Sequence, residues 1–379
     1  MKFVFIVQGE GRGHMTQAIS LFEMLDEMGH EVAAVCIGTS QRREIPDFVK
    51  EKLTCPLLLV ESPNFVTDKN HKGVLLGKTI RKNLRNLPTF QRSLRKIHEL
   101  VSKHQPDILL NFYDLLGGLY NARYRPSCRL WVIGHQYLSL HPDFPFPSGN
   151  ILPKILFQLN THITALGADE FFALSFRNLP KSKRSNLHVL PPLLRKSIFD
   201  LQPEKGDYIL TYMVNSGYSE EVLHYAKNNP ELKIEAFWDK MGMPERYCPL
   251  PNVVFHQVND RLFLTKMAKC RGFVSTAGFE SICEAMYLGK PVMMVPVKKH
   301  FEQTCNALDA SLAGVGTIAK SFDFGAFDKH LRSDLSEAEN HASWVSQFKS
   351  IFKGVLSNKT STSGETTLGP NPINKAMFG

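Results

Sequence analysis

The sequence predicts an α/β protein built from two Rossmann-like halves. Three observations lead there. The chain opens at residues 2–37 with a strand, a glycine-rich loop, an amphipathic helix and a second strand. The same order restarts at Asp207. Residues 270–307 then repeat it as strand, small-residue turn, helix, strand and helix. A chain of 379 residues is long for one domain and fits two of ordinary size.

In the first half, residues 2–8 (KFVFIVQ) have the continuous apolar character of a buried strand. The loop Gly9-Glu10-Gly11-Arg12-Gly13-His14 feeds a helix that ends at Gly29. Ala18, Ile19, Phe22, Leu25 and Met28 supply its core stripe. Residues 31–37 form the second strand. A dinucleotide site is not expected. His14 stands where the fingerprint needs its third glycine, and Cys36-Ile37-Gly38 ends the second strand without an acidic residue. His14 falls in the first turn of a helix, where the dipole disfavours the imidazolium and keeps a neutral base available. That makes it a catalytic candidate. The plainer reading is a histidine that orders the glycine loop.

Residues 57–60 read as a third strand, followed by a loop from Pro63 to Lys72. Residues 75–104 are mostly helical with a break at Pro88. Lys78, Arg81, Lys82, Arg85, Arg92, Arg95 and Lys96 line one side, and Leu76, Ile80, Leu84, Leu87, Leu94 and Ile97 the other. This is either a core-packed helix with a solvated basic face or a surface for an anionic membrane. Strand 107–112 ends at Tyr113-Asp114, and strand 129–134 ends at His135-Gln136, positions where α/β sheets hold ligands. His135 as a base oriented by Asp114 is a rival catalytic proposal. Polar residues that only line an acceptor pocket are the alternative. Helix 151–166 and strands 170–175 and 187–190 complete a domain over residues 1–190, with a linker at 191–206.

The second domain, 207–335, opens with strand 207–214, the turn Asn215-Ser216-Gly217 and a helix from Glu220. Strands follow at 232–238, 253–256 and 272–274. Ser275-Thr276-Ala277-Gly278 then turns into a helix whose Phe279, Ile282, Cys283 and Met286 share one face. Such a turn presents free N–H groups and the positive end of a dipole, a seat for phosphate. Glu284 lies six residues beyond Gly278, about 9 Å along the axis. That suits the ribose of a nucleotide stretched along the helix, with Ser281 beside it. Glu302 and Gln303 open the next helix and could take the hydroxyls of a sugar. Helix capping alone would also account for Ser275 and Thr276, and Glu284 would then be a solvated residue. Residues 315–319 form a last strand, residues 336–356 a terminal helix that should return toward the first domain, and residues 357–379 a disordered tail.

Taken together, Gly278, Glu284, Gly289-x-Pro291, Pro296, Gln303 and Asn306-Ala307 resemble the donor-site signature of GT-B glycosyltransferases, nearest the MurG-type branch. Gly9, Gly11, Gly13 and His14 resemble that branch's first glycine loop. The resemblance covers roughly residues 1–335. It implies the GT-B fold, two Rossmann-like domains facing across a cleft, and an inverting transfer from a nucleotide sugar to an acceptor hydroxyl. The donor it implies first is a UDP-sugar. It implies donor contacts at Ser216, Gly217, Thr276, Gly278, Phe279, Ser281, Glu284, Glu302 and Gln303. Acceptor contacts fall at Gly11, Arg12, Gly13 and Gln136, and residues 257–261 hold the base. Arg12 departs from the smaller residues common there. The sequence contains no D-x-D, so neither a metal nor another cofactor is expected. Other readings are a nucleotide-sugar epimerase, suggested by Glu10, Glu280 and Glu302, and a non-catalytic nucleotide-sugar binder.

The net charge of +9 calls for an anionic partner. Nucleic acid is not expected, because no basic platform is interleaved with aromatic residues. The seven cysteines are scattered without a CxxC pair, as in a reduced cytoplasmic protein. No apolar run approaches the ~20 residues that span a bilayer, so membrane contact would be peripheral. The acceptor, lipid-linked or saccharide, is left open.

Overall fold

The computed structural model describes residues 1–39, 45–63, 76–149, 151–213, 216–240, 242–325, 327, 331 and 338–361. Most of the loop expected at 63–72, Asn215 in the turn expected after the first strand of the second domain, and the tail beyond 361 lie outside them.

The first sheet contains β1 (Lys2–Gln8), β2 (Glu31–Thr39), β3 (Leu57–Glu61), β4 (Ile108–Phe112), β5 (Arg129–Gly134), β6 (Glu170–Leu174) and β7 (Leu187–Leu190). Its order is β3-β2-β1-β4-β5-β6-β7, with every pair parallel. Phe3, Val4, Phe5, Ile6 and Val7 are all buried, as a parallel strand covered on both faces requires. The order reverses between β1 and β4, where Val7 pairs with Phe112. The loop after β1 and the turn after β4 therefore part and leave a crevice at the carboxyl ends. Helices α1 (Arg12–Glu27), α2 (Asp47–Lys52), α3 (Leu76–Arg85), α4 (Leu87–His104), α5 (Leu115–Tyr124) and α6 (Ile151–Thr164) flank the sheet.

The second sheet repeats the plan with β8 (Tyr208–Met213), β9 (Lys233–Trp238), β10 (Arg246–Leu250), β11 (Val253–Gln257), β12 (Gly272–Ser275), β13 (Val292–Met294) and β14 (Gly316–Ile318). Its order is β10-β11-β9-β8-β12-β13-β14. The edge strand β10, which sequence reading misses, runs antiparallel to β11. The order reverses between β8 and β12. Helices α7 (Ser219–Asn228), α8 (Asp260–Ala268), α9 (Phe279–Tyr287) and α10 (Phe301–Leu312) belong to this lobe.

The single helix expected at 336–356 is two, α11 (Ala338–Ser346) and α12 (Phe348–Ser361). They cross back to the first lobe. The Trp344 indole N–H donates to the Ser175 carbonyl at 3.0 Å. Phe352 packs against Trp131 and Phe172 of the first sheet.

Along 76–97, Leu94 and Ile97 are buried but Leu84 and Leu87 are exposed, so among the described side chains the core-packed reading holds for the later part of the apolar line. The side chains of Leu76 and Ile80 lie outside what is described. Exposed apolar residues recur on α6 as Ile151, Leu152, Ile155 and Leu159.

Candidate active site

The two crevices face each other, and α1 and α9 meet there by their N-termini. Gly11 caps α1 and Gly278 caps α9, each in extended conformation and without a side-chain hydrogen bond. The helices approach closely because Gly13 has no side chain. A Cβ there would come within 3.1 Å of Glu280 Cγ. The Gln17 amide of α1 donates to Glu280 Oε1 of α9 across the seam.

His14 lies partly buried at the centre. Its Nδ1 is 3.3 Å from Gln17 Oε1, and its Nε2 is 3.3 Å from Gln136 Nε2. Gln17 Oε1 can only accept and Gln136 Nε2 can only donate. The imidazole is therefore protonated on Nδ1 and carries its lone pair on Nε2. Burial lowers its pKa, with Glu302 and Gln17 opposing more weakly. The ring stacks on Tyr113, centroids 5.8 Å apart. Gln136 also donates to Glu302 Oε1 of α10 at 2.9 Å. The glycine loop, the end of β5 and the start of α10 thus form one hydrogen-bonded chain through His14.

Beside it, His135 is buried with Nδ1 2.8 Å from the Leu174 carbonyl, to which it donates. Its ring lies flat on Phe279, centroids 4.2 Å apart. His135 Nε2 is 3.9 Å from Asp309 Oδ2, and Arg177 Nε is 3.6 Å from Asp309 Oδ1. Both distances are too long for hydrogen bonds. Burial pushes the Asp309 carboxyl up and the His135 imidazolium down. Buried polar atoms without a partner gather along this seam: His135 Nε2, Gln136 Oε1, Thr276 Oγ1, Glu280 Oε2 and both Asp309 oxygens. A native interior leaves few such atoms. Several of them lie together in this one seam between the lobes.

Two expectations need correction. Asp114 does not orient His135. Its Oδ1 accepts from Leu116 N and Ser62 Oγ, so it caps α5, and His135 is held by a backbone carbonyl instead. Glu284 is not the solvated residue of the plainer reading. It is 1% exposed, and the Arg195 guanidinium forks onto both its oxygens at 2.6 Å. Arg195 also donates to Asp260 at the start of α8. It thereby joins the linker to the two helices expected to hold base and ribose.

The other expected donor residues have mixed positions. Thr276 is fully buried two residues before the cap of α9, and Ser281 lies partly buried in its first turn. Phe279 packs on His135 and Phe176. The Gln303 side chain accepts from Val297 N at 2.9 Å and so braces its own loop. Ser216 and Gly217 open a short 3-10 turn beyond β8. Arg12 reaches Asp239 of the second lobe at 3.3 Å.

Sequence reasoning missed Gln17, Arg195 and Asp309. Gln17 stands three residues after His14 and Asp309 seven after Glu302, so helical spacing could have flagged both. Arg195, in an irregular linker, had no such signal.

Residues 1–332 match the family described as Glycosyl transferase family 1. An uncharacterized glycosyltransferase of Methanosarcina acetivorans is 24% identical over 339 residues, 83% of each chain. Among solved structures, LpCGTa in complex with UDP matches with a TM-score of 0.64 at 14% identity, covering 95% of this chain and 99% of that one. Spinosyn rhamnosyltransferase SpnG complexed with thymidine diphosphate matches at 0.59 and 12% identity, covering 94% and 100%. These likenesses identify the fold as GT-B. The family match runs through both lobes and takes in the glycine loop, the seam and α9: the chain belongs to glycosyl transferase family 1.

Proposed function

We propose that this protein transfers a sugar from a nucleotide-sugar donor, a UDP-sugar by preference, to an acceptor hydroxyl, with inversion and without a metal ion. The observation behind it is the set of unpartnered buried polar atoms between the uncapped N-termini of α1 and α9. In this reading the diphosphate takes the first turn of α9, at Thr276, Gly278, Phe279 and Ser281, with Ser216 and Gly217 opposite. Glu284 receives the ribose once Arg195 has withdrawn, and Glu302 and Gln303 bound the sugar. Gly11, Arg12, Gly13 and Gln136 edge the acceptor side. The acceptor O–H takes the place of the Gln136 amide at His14 Nε2 and gives that nitrogen its proton while its oxygen attacks the anomeric carbon. The carbon–oxygen bond to the β-phosphate breaks, and the helix dipole stabilises the departing diphosphate. The kinship with the MurG-type branch belongs to this same proposal.

The test is a panel of UDP-, dTDP- and GDP-sugars in thermal unfolding and calorimetry. A true donor at a hundredfold excess over its Kd should stabilise the fold by about 2.7 kcal/mol. If no nucleotide sugar protects, the reading is wrong. Glu280 and Glu302, two carboxyls in the seam, favour an epimerase as the second reading. Epimer formed from a UDP-sugar alone would select it.

We further propose peripheral contact with an anionic membrane. The support is the basic side of α3 and α4 together with exposed Leu84, Leu87, Ile151, Leu152, Ile155 and Leu159. Among the described residues no helix is long and apolar enough to cross a bilayer. The protein should co-sediment with vesicles containing phosphatidylserine and much less with neutral ones. Equal partition to both, or to neither, refutes the contact.

A further inference from the structure

Glu280 is out of keeping with its position. It is the second residue of α9, in the turn where an anion is best received, yet it carries a carboxyl group. Its Oε1 accepts from the Gln17 amide of the facing lobe. Its Oε2 is shut off from solvent and has no hydrogen-bond partner. On the α1 side its Cγ fills the space a Cβ at Gly13 would need, 3.1 Å from that position. Thr276 Oγ1, two residues before the helix cap, is buried and likewise unpartnered. A carboxylate here would repel a diphosphate bound at the same helix turn. A carboxylic acid would offer it a donor.

We propose that Glu280 is a donor-side specificity residue that acts in its uncharged form, with the carboxylic acid O–H donating a hydrogen bond to the diphosphate of the bound nucleotide. This deepens the reading of the seam as a nucleotide-sugar site and rests on it. The surroundings favour the uncharged form. Burial pushes the Glu280 carboxyl up to about 8. Its hydrogen bond from Gln17 opposes that rise, nearby Glu284 adds to it, and Arg195 opposes it. The groups that face it are Gln17 with His14 behind it on α1, Glu284 and Cys283 on α9, and Arg195 of the linker. Burial lowers the His14 pKa and raises the Cys283 pKa well above the ordinary thiol range, so neither titrates between neutrality and pH 9.

A nucleotide that requires the protonated carboxyl takes up that proton's linkage. Its affinity is full below the carboxyl pKa and falls as pH rises through it. Calorimetry with UDP on the full-length protein should show a Kd that weakens about tenfold between about pH 7 and about pH 9. Glu280→Gln keeps a neutral donor and should abolish that slope, binding UDP at pH 9 more tightly than the wild type. The wild-type profile alone decides the matter if the variant does not fold. A pH-independent wild-type Kd across this window overturns the proposal, as does a Glu280→Gln variant that keeps the same slope. If UDP and UDP-sugars bind at no pH, the nucleotide-sugar reading itself has failed. A residue that only braces the lobes through Gln17 would change stability and leave the pH slope of UDP affinity in place.

Discussion

Replacing His14 with alanine should lower turnover by about 10²–10⁴-fold, the usual share of a general base. UDP affinity should stay near that of the wild type. The expectation follows from the tautomer set by its neighbours. Gln17 holds the Nδ1 proton, so the lone pair is on Nε2, the nitrogen that faces Gln136. The pH profile supplies a second check. Burial lowers the His14 pKa below its ordinary value of 6.5, so the base form persists into mildly acidic solution. The acid limb of kcat should therefore fall below pH 6.5 and disappear in the alanine variant. A variant with wild-type turnover would remove His14 from the chemistry and leave it as a residue that orders the loop. The non-catalytic binder would then be the better account.

The next largest effect belongs to Arg195. Removing one partner of a buried ion pair costs about 3–5 kcal/mol, because the other charge is left alone. Glu284 is almost wholly enclosed and Arg195 nearly so. Arg195→Met should therefore depress Tm sharply, and adding Glu284→Leu should restore much of it by removing the stranded carboxylate. Arg195→Lys separates stability from binding. Lysine keeps the charge but cannot fork onto both oxygens. If a ribose takes Glu284 only after the guanidinium leaves, the lysine variant should bind UDP more tightly than the wild type. Weaker UDP binding by that variant would mean that Arg195 itself supports the nucleotide.

The fold is legible in the sequence because its strands are short, continuously apolar and bounded by glycine and proline. Residues 2–8 and 272–275 could hardly be anything but covered parallel strands. β10 escapes notice because Arg246 and Tyr247 sit on an exposed edge with no apolar period to read. The site is legible where chemistry follows from local backbone, as at the uncapped starts of α1 and α9. It is illegible where partners come from far along the chain. Asp114 resembles a catalytic carboxylate because its cleft-edge position is visible in the sequence, whereas its bonds to Ser62 and Leu116 are not. Glu284 looks free because spacing along one helix says nothing of a linker arginine 89 residues earlier.

The chain passes between the lobes twice, once through the linker and again through α11 and α12. The first lobe is therefore not a contiguous stretch of sequence, whereas the strands of the second follow one another from 208 to 318. A polypeptide cut at the linker would lose from its first lobe the aromatic side chain that covers Trp131 and Phe172, and would leave α12 on the second without those partners, while α11 keeps its packing on α9. Any dissection, chimera or circular permutation must keep α12 with the first lobe, although it follows the second in the chain. The first lobe acquires its Trp131 and Phe172 cover only after α12 has been synthesised.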